Sequence, residues 1–227
     1  MMLIILHTEP CGDAQRLDLN RWRSMRYTKG HKAETRRQIV EAAASEIRRR
    51  GIAATGIAAL MARVGLTHGG FYAHFRSKEA LIEEALAEGL RQTAEMLEKA
   101  ARDAPFEGGL EAIFDAYFSL SHRSHPEAGC VLAALGGEIA RRAAPQRRRL
   151  QPHLERLISV LARFAPAGPA GVRADCALAI MASMIGGIVM ARIAADDAVA
   201  ERILHAVKSL AFGPRVDQPS SARRGCE

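Results

Sequence analysis

The stretch GLTHGGFYAHFRSKEAL, residues 65–81, sets Gly69 beside Gly70 and then places Phe71, Tyr72, His74 and Phe75 within five positions. Phe, Trp and Tyr make up only 5% of the 227 residues, so this is a local concentration. Glycine in a helix interior costs about 1 kcal/mol relative to alanine. Two adjacent glycines at the start of a short helix imply that the backbone, with its free N–H groups, must come close to something. Phe71 and Phe75 are four residues apart and share one helical face. Tyr72 and His74 then project elsewhere.

Thr67 is placed to cap this short helix, which runs through His74. Ser77 is placed to cap a longer one reaching about Ala101, with Glu79 in its first turn suiting the helix dipole. On the N-terminal side, a segment from Thr55 to Val64 has Thr55 as its expected N-cap and Gly65 as its stop. Before that, a helix from about Lys32 to Arg50 ends at Gly51 and sets Ile39, Val40, Ala43 and Ile47 on one face. Two short helices joined at Gly65-Leu66 behind a longer one give the outline of a helix-turn-helix. Ile57, Leu60, Met61, Val64 and Leu66 would form its core with Phe71 and Phe75. In such a motif the N-terminal part of the second helix enters the major groove. A phosphate-cradling loop is the competing reading of Gly69-Gly70, but the chain has no G-x-x-x-x-G-K-[ST] pattern.

Helical periodicity continues beyond this region. Segments near 107–123, 127–143, 145–165, 170–194 and 197–212 are separated by His125-Pro126, Pro145, Pro166–Pro169 and Asp196-Asp197. No alternating strand pattern and no internal repeat stands out. The expected fold is all-α, with a three-helix head carrying the helix-turn-helix over residues 31–91 and a larger helical body over residues 92–212. Residues 1–30 form a basic arm without helical period, and residues 213–227 a polar tail; both are expected to be disordered. Met25 offers an alternative start.

The net charge is +7, and residues 21–50 carry all of it, with ten Lys/Arg against three acids. The other basic and acidic residues balance. A neutral protein with one basic stretch points to a local polyanion contact or to a solvated basic helix face. Cys11, Cys130, Cys176 and Cys226 lie far apart with no C-x-x-C pair, which disfavours a zinc finger or disulfide framework and suits a reducing compartment. MMLIIL is six apolar residues, short of the roughly 7–15 of a signal-peptide core or the roughly 20 of a membrane span. A cytoplasmic protein without membrane contact is expected. No G-x-S-x-G, H-E-x-x-H or G-x-G-x-x-G pattern points to an enzyme, and no cofactor is implied.

Residues 34–81 resemble the DNA-binding head of the TetR/AcrR family of transcriptional regulators. The resemblance rests on R-x-x-I-V-x-A-A at Arg36–Ala43 and the Gly51, Thr55, Ile57 spacing. It extends through Val64-Gly65-Leu66-Thr67 and F-Y-x-H-F-x-S-K-E-x-L at Phe71–Leu81. It implies that Thr55 caps the second helix and touches a phosphate. Thr67 would cap the recognition helix, with His68 and Gly69 facing bases or backbone. Tyr72, His74 and Lys78 would bind phosphates, which position the head without reading sequence. Arg36 and Arg37 with the basic arm would add salt-dependent affinity. Met61 and Gly70 depart from the family pattern. Gly70 leaves base readout thin and centred on His68.

The segment HRSHPEAGCVLAALGGEIAR, residues 122–141, resembles the G-C-x-L-A-A-L stretch of one subgroup. MIGGIVMARIAADD, residues 184–197, resembles the helix through which subunits pair. Gly186, Gly187 and Met190, with Ile203 and Val207 on the last helix, are the expected dimer contacts. An effector pocket inside the body would draw on Phe114, Tyr117, Phe118, His122, Cys130, Met181 and Met184, all equally suited to core packing. Cys130 follows Gly129 at a helix start, where the dipole favours a thiolate. A redox or electrophile sensor and a small buried hydrophobe are its two readings. His122, His125 and Cys130 make a poor metal set across Pro126, and no metal is expected. The implied function is a homodimeric repressor on a palindromic double-stranded operator, released by a small-molecule effector. An activator, or a regulator sensing electrophiles through Cys130, is the alternative.

Overall fold

The computed structural model describes residues 29–105, 108–166 and 168–212, and every described element is helical. The expected arm and tail fall almost wholly outside these residues. In the head, α1 (Lys29–Arg50) buries Ile39, Ala43, Ala44 and Ile47, the face that the sequence periodicity marks. It stops at Gly51, whose φ of +86° is a left-handed conformation that side chains disfavour. Helix α2 (Ile57–Arg63) follows, then a 3₁₀ segment, His68–Ala73, where a short α-helix was expected. Between them Gly65 turns at φ +72°. The amide of Leu66 reaches back to the Met61 carbonyl at 2.9 Å.

Thr55 is not the N-cap of α2. Gly56 holds that position and supplies no side-chain cap. The Thr55 hydroxyl instead donates to the Gly51 carbonyl at 2.9 Å, and Thr55 is 3% exposed. The left-handed turn at Gly51 brings its carbonyl over Thr55, and a buried hydroxyl takes the partner within reach. The Thr55 hydroxyl is thus engaged within the head. Thr67 and Ser77 do cap, accepting the amides of Gly70 (3.3 Å) and Ala80 (3.1 Å).

Helix α3 (Lys78–Asp103) is the spine, about 39 Å long at 1.5 Å per residue. It packs against α1 in the head and against three body helices, α4 (Gly109–Tyr117), α6 (Val131–Ala140) and α7 (Ala144–Ala162). It runs unbroken through residues 91 and 92, so head and body share one helix and one hydrophobic core. Arg149 pairs with Glu83 at 2.5 Å and Arg163 with Glu98 at 3.0 Å, sequence offsets of 66 and 65. This constant offset makes α7 parallel to α3.

The helix expected near 107–123 divides. The Phe118 amide closes α4 on the Phe114 carbonyl, and Ser119 starts α5 (Leu120–Ser124) by accepting the His122 amide. Likewise residues 126–128 form a separate 3₁₀ turn led by Pro126, and Gly129 is extended before α6. Helices α8 (Ala170–Ile193) and α9 (Asp197–Phe212) complete the body. By length and composition α8 could cross a bilayer; here it packs against α7, α9, α6 and α5.

Candidate nucleic-acid interface

The 3₁₀ segment is anchored from within and bare outside. Phe71 and Phe75 are buried and stack at 5.5 Å between ring centroids. Tyr72 meets the Phe71 ring edge-on at 5.2 Å yet is 62% exposed, and His68 and Gly69 are exposed beside it. Neither Gly69 nor Gly70 has a positive φ, so the pair is not required by a turn. A Cβ at Gly69 would meet nothing within 4 Å; one at Gly70 would rest against the Thr67 hydroxyl at 3.5 Å. The leading edge is therefore open surface, available to a partner that must approach the backbone.

His74 sits half-buried at the end of the segment, with its Nδ1 buried and unpartnered. Burial, then the charges of Lys32 and Arg36, hold its pKa below the usual histidine value, leaving one N–H on a neutral ring. Among the described residues Lys32, Arg76 and Lys78 have no ion-pair partner, so three cations stand free around His74. Lys32 and Arg76 were not among the expected contacts. Arg76 is an unspecified position of the F-x-S-K run, and its only sequence signal is its place between Phe75 and Ser77.

Arg36 belongs elsewhere. Its guanidinium makes a two-pronged ion pair with Glu84 of α3 and lies 4.4 Å from the Phe75 ring. It pins α1 to α3 while staying partly exposed, because a carboxylate matched to its fork and an aromatic face are both at hand. Arg37 is taken by Glu34 and Glu41, and Arg49, Arg50 and Arg63 converge on Glu46. Much of the positive charge of α1 is thus neutralised within the head.

Hydrogen bonds tie the C-terminal end of α1 to the body. Arg48, 6% exposed, donates to the Gly129 carbonyl at 3.1 Å and to Gln92 Oε1 at 2.8 Å. Glu138 of α6 accepts the Ile52 amide at 3.0 Å. Just inside lie the residues expected to line an effector pocket. Phe114, Tyr117, Phe118, His122, Cys130, Met181 and Met184 all belong to or pack against the buried core. Tyr117 meets Phe118 and His122 edge-on at 5.9 and 4.4 Å. His122 Nε2 accepts the Cys130 amide at 2.8 Å, so Nδ1 carries the proton and donates to the Tyr117 carbonyl. Both ring nitrogens are thereby committed. The Tyr117 hydroxyl is buried beside the Cys130 thiol, and burial, then Cys130, raises its pKa well above the usual tyrosine value. Cys130 is 0% exposed, which fits the small buried hydrophobe. Among the described residues no three His, Cys, Asp or Glu side chains are grouped to hold a metal.

Gly187 and Val207, both expected at a dimer contact, meet each other within the chain. Gly187 is buried, and a Cβ there would come within 3.2 Å of Val207 and 3.3 Å of Phe118. They pack α8 against α9 within the chain. Gly186 and Met190 do face outward, in a stripe with Ala182 and Ile193, the last 77% exposed. Val199 and Leu210 are exposed on α9 with half-buried Ile203 between them.

Comparison with known proteins bears on this arrangement. The family model "Bacterial regulatory proteins, tetR family" matches residues 39–85, and "Tetracyclin repressor-like, C-terminal domain" matches residues 107–207. The HTH-type transcriptional regulator TtgR of Pseudomonas putida is 39% identical over 77 residues, which span 34% of this chain and 36% of the relative's length. A TetR-family transcriptional regulator from Cytophaga hutchinsonii superposes with a TM-score of 0.68 at 19% identity, over 85% of this chain and 99% of that one. AibR, solved with isovaleryl coenzyme A and operator DNA, superposes with a TM-score of 0.55 at 18% identity, over 79% of this chain and 99% of its own. At these identities the solved structures show a common fold.

Proposed function

The chain belongs to the TetR family of DNA-binding transcriptional regulators, and from that we propose that it is a cytoplasmic, homodimeric repressor that a small molecule releases from a two-fold operator. The observation that carries the reading is the leading edge at His68–Tyr72, exposed and anchored only through Phe71. Thr67 caps the segment, His68 and Gly69 meet base edges or backbone in the major groove, and Tyr72, His74 and Lys78 grip phosphates. The free cations Lys32 and Arg76 join them.

A second copy supports this geometry. The outward stripe Ala182, Gly186, Met190 and Ile193 on α8, with Val199, Ile203 and Leu210 on α9, is an apolar face that water alone would cover. Pairing it with itself forms an isologous four-helix interface and sets two heads on neighbouring major grooves, which requires a palindromic site. An effector entering among Phe114, Tyr117, Phe118 and His122 gains a hydrogen-bonding partner in the buried Tyr117 hydroxyl. Its entry separates these packed rings, moves the adjoining Gly129–Cys130 segment, and reaches the head through Arg48. A coupling of about 1–3 kcal/mol is enough to change operator occupancy.

Gel-shift titration against DNA upstream of the protein's own gene, followed by a screen for small molecules that release it, tests the reading. A specific complex that a ligand dissolves is the expected result. Binding that no sequence change weakens would reject it.

A further inference from the structure

Residues 139–154 contain five arginines, Arg141, Arg142, Arg147, Arg148 and Arg149, and no acidic residue. Charge balance outside the N-terminal stretch therefore holds in sum and not in space. Arg149 pairs with Glu83. Arg147 and Arg148 are exposed and, among the described residues, have no ion-pair partner.

The parallel register of α7 and α3 fixes where they stand. Carrying the offset of 66 from Arg149 and Glu83 back along α7 sets Arg147 and Arg148 level with Leu81 and Ile82. Those positions lie about 5 Å along α3 from Lys78. Arg149 and Leu150 also share one surface concavity with Arg36, His74, Phe75 and Arg76. The arginine turn thus flanks the free cations around His74, about one helix-packing distance of 8–10 Å from the α3 axis. Five arginines without an acid in sixteen residues, with Arg147 and Arg148 unpaired among the described residues, favour a polyanion. At this end of the molecule the polyanion lying against His74 and Lys78 is the DNA backbone.

We propose that the first turn of α7, through Arg147 and Arg148, is a second phosphate-contact surface, with which the body grips the DNA backbone beside the helix-turn-helix. The proposal rests on the DNA-binding reading above and adds a contact outside the head. It assigns these residues to affinity and salt dependence, not to base readout, since they stand away from the leading edge at His68.

The test is fluorescence anisotropy of the full chain on the duplex it prefers upstream of its own gene, with salt varied between about 50 and 200 mM. Two phosphate contacts per protomer, four in the dimer, account for a slope of about 3.6 in log K against log salt. The variant R147A/R148A is expected to flatten the wild-type slope by that amount, with an unchanged melting temperature. R147K/R148K keeps the charge and is expected to retain the wild-type slope. R102A/R173A removes two exposed charges at the far end of the body and is also expected to retain it. A wild-type slope in R147A/R148A, or equal flattening in R102A/R173A, overturns the proposal while leaving the regulator reading intact. A wild type that binds DNA without salt dependence removes both.

Discussion

Arg48, near the end of α1, donates to the carbonyl of Gly129, 81 residues away on the segment that leads into α6. Nine residues beyond Gly129, on α6, Glu138 accepts the amide of Ile52, just past the end of α1. The C-terminal end of α1 is therefore held at two points by α6 and its approach. Any movement of that body segment reaches the head without passing along α3. Glu138→Ala leaves the Ile52 amide unpartnered, at an expected loss of about 1–3 kcal/mol in unfolding free energy. Hydrogen exchange checks it: Ile52 should lose protection while Ile39 and Ile47 keep theirs. Undiminished protection at Ile52, with unaltered operator affinity, would break the proposed link.

Phe71 and Tyr72 are neighbours with opposite duties, and their variants should separate stability from binding. Phe71→Ala removes a fully buried ring and is expected to cost about 3–5 kcal/mol in urea unfolding. Tyr72→Phe removes one exposed hydroxyl. It should stay within about 0.5 kcal/mol of the parent in stability and bind DNA several-fold more weakly. Equal binding by Tyr72→Phe and the parent would take Tyr72 out of the phosphate contacts.

Much of this architecture is legible in the sequence because local signals and tertiary needs agree. Gly51 and Gly65 mark turns that need positive φ, Ser77 and Thr67 cap as their positions imply, and the α8 and α9 boundaries follow Pro169 and Asp196-Asp197. The misreadings have one cause: a side chain with two uses takes the partner that the fold brings near. Thr55 is claimed by the Gly51 carbonyl, Arg36 by Glu84 and Phe75 across 48 and 39 residues, and Gly187 by Val207 and Phe118. The Gly51 carbonyl is four residues from Thr55, but the partners of Arg36 and Gly187 are distant along the sequence. Arg147 and Arg148 passed unnoticed for the same reason, since their setting depends on the register of α7 against α3.

The outward apolar face predicts a dimer that a pair of introduced carboxylates can split. Met190→Asp combined with Leu210→Asp places two carboxylates on the α8 and α9 stripes without touching the core, since both residues are more than half exposed. Sedimentation velocity should show the parent as a dimer and the variant as a folded monomer. A variant of unchanged mass would move the subunit contact to another face. Gly187→Ala offers a contrast, since its expected effect is a loss of stability within the chain with the dimer preserved.

His122 predicts a pH dependence of stability. Burial lowers its pKa in the folded protein, with Arg192 and Arg48 nearby adding to the effect. The unfolded chain then binds the proton more readily. Stability should be full above about pH 6.5 and fall as the pH drops below that value toward the folded-state pKa. His74 shifts in the same direction, so His122→Asn should remove part of the loss and not all of it. Urea unfolding between about pH 5 and 7 avoids most carboxylate titration. A slope identical in the parent and His122→Asn would show that this ring does not carry the effect.

The central claim is that the edge at His68–Tyr72, carried by two copies of this chain, recognises a specific duplex. The direct measurement is the affinity of the purified protein for the duplex upstream of its own gene and for a scrambled duplex of equal length and composition, with His68→Ala titrated alongside. The account predicts binding to the first at least about a thousandfold tighter than to the second at matched salt, with His68→Ala eroding that ratio. Equal affinity of the parent for both duplexes would contradict it.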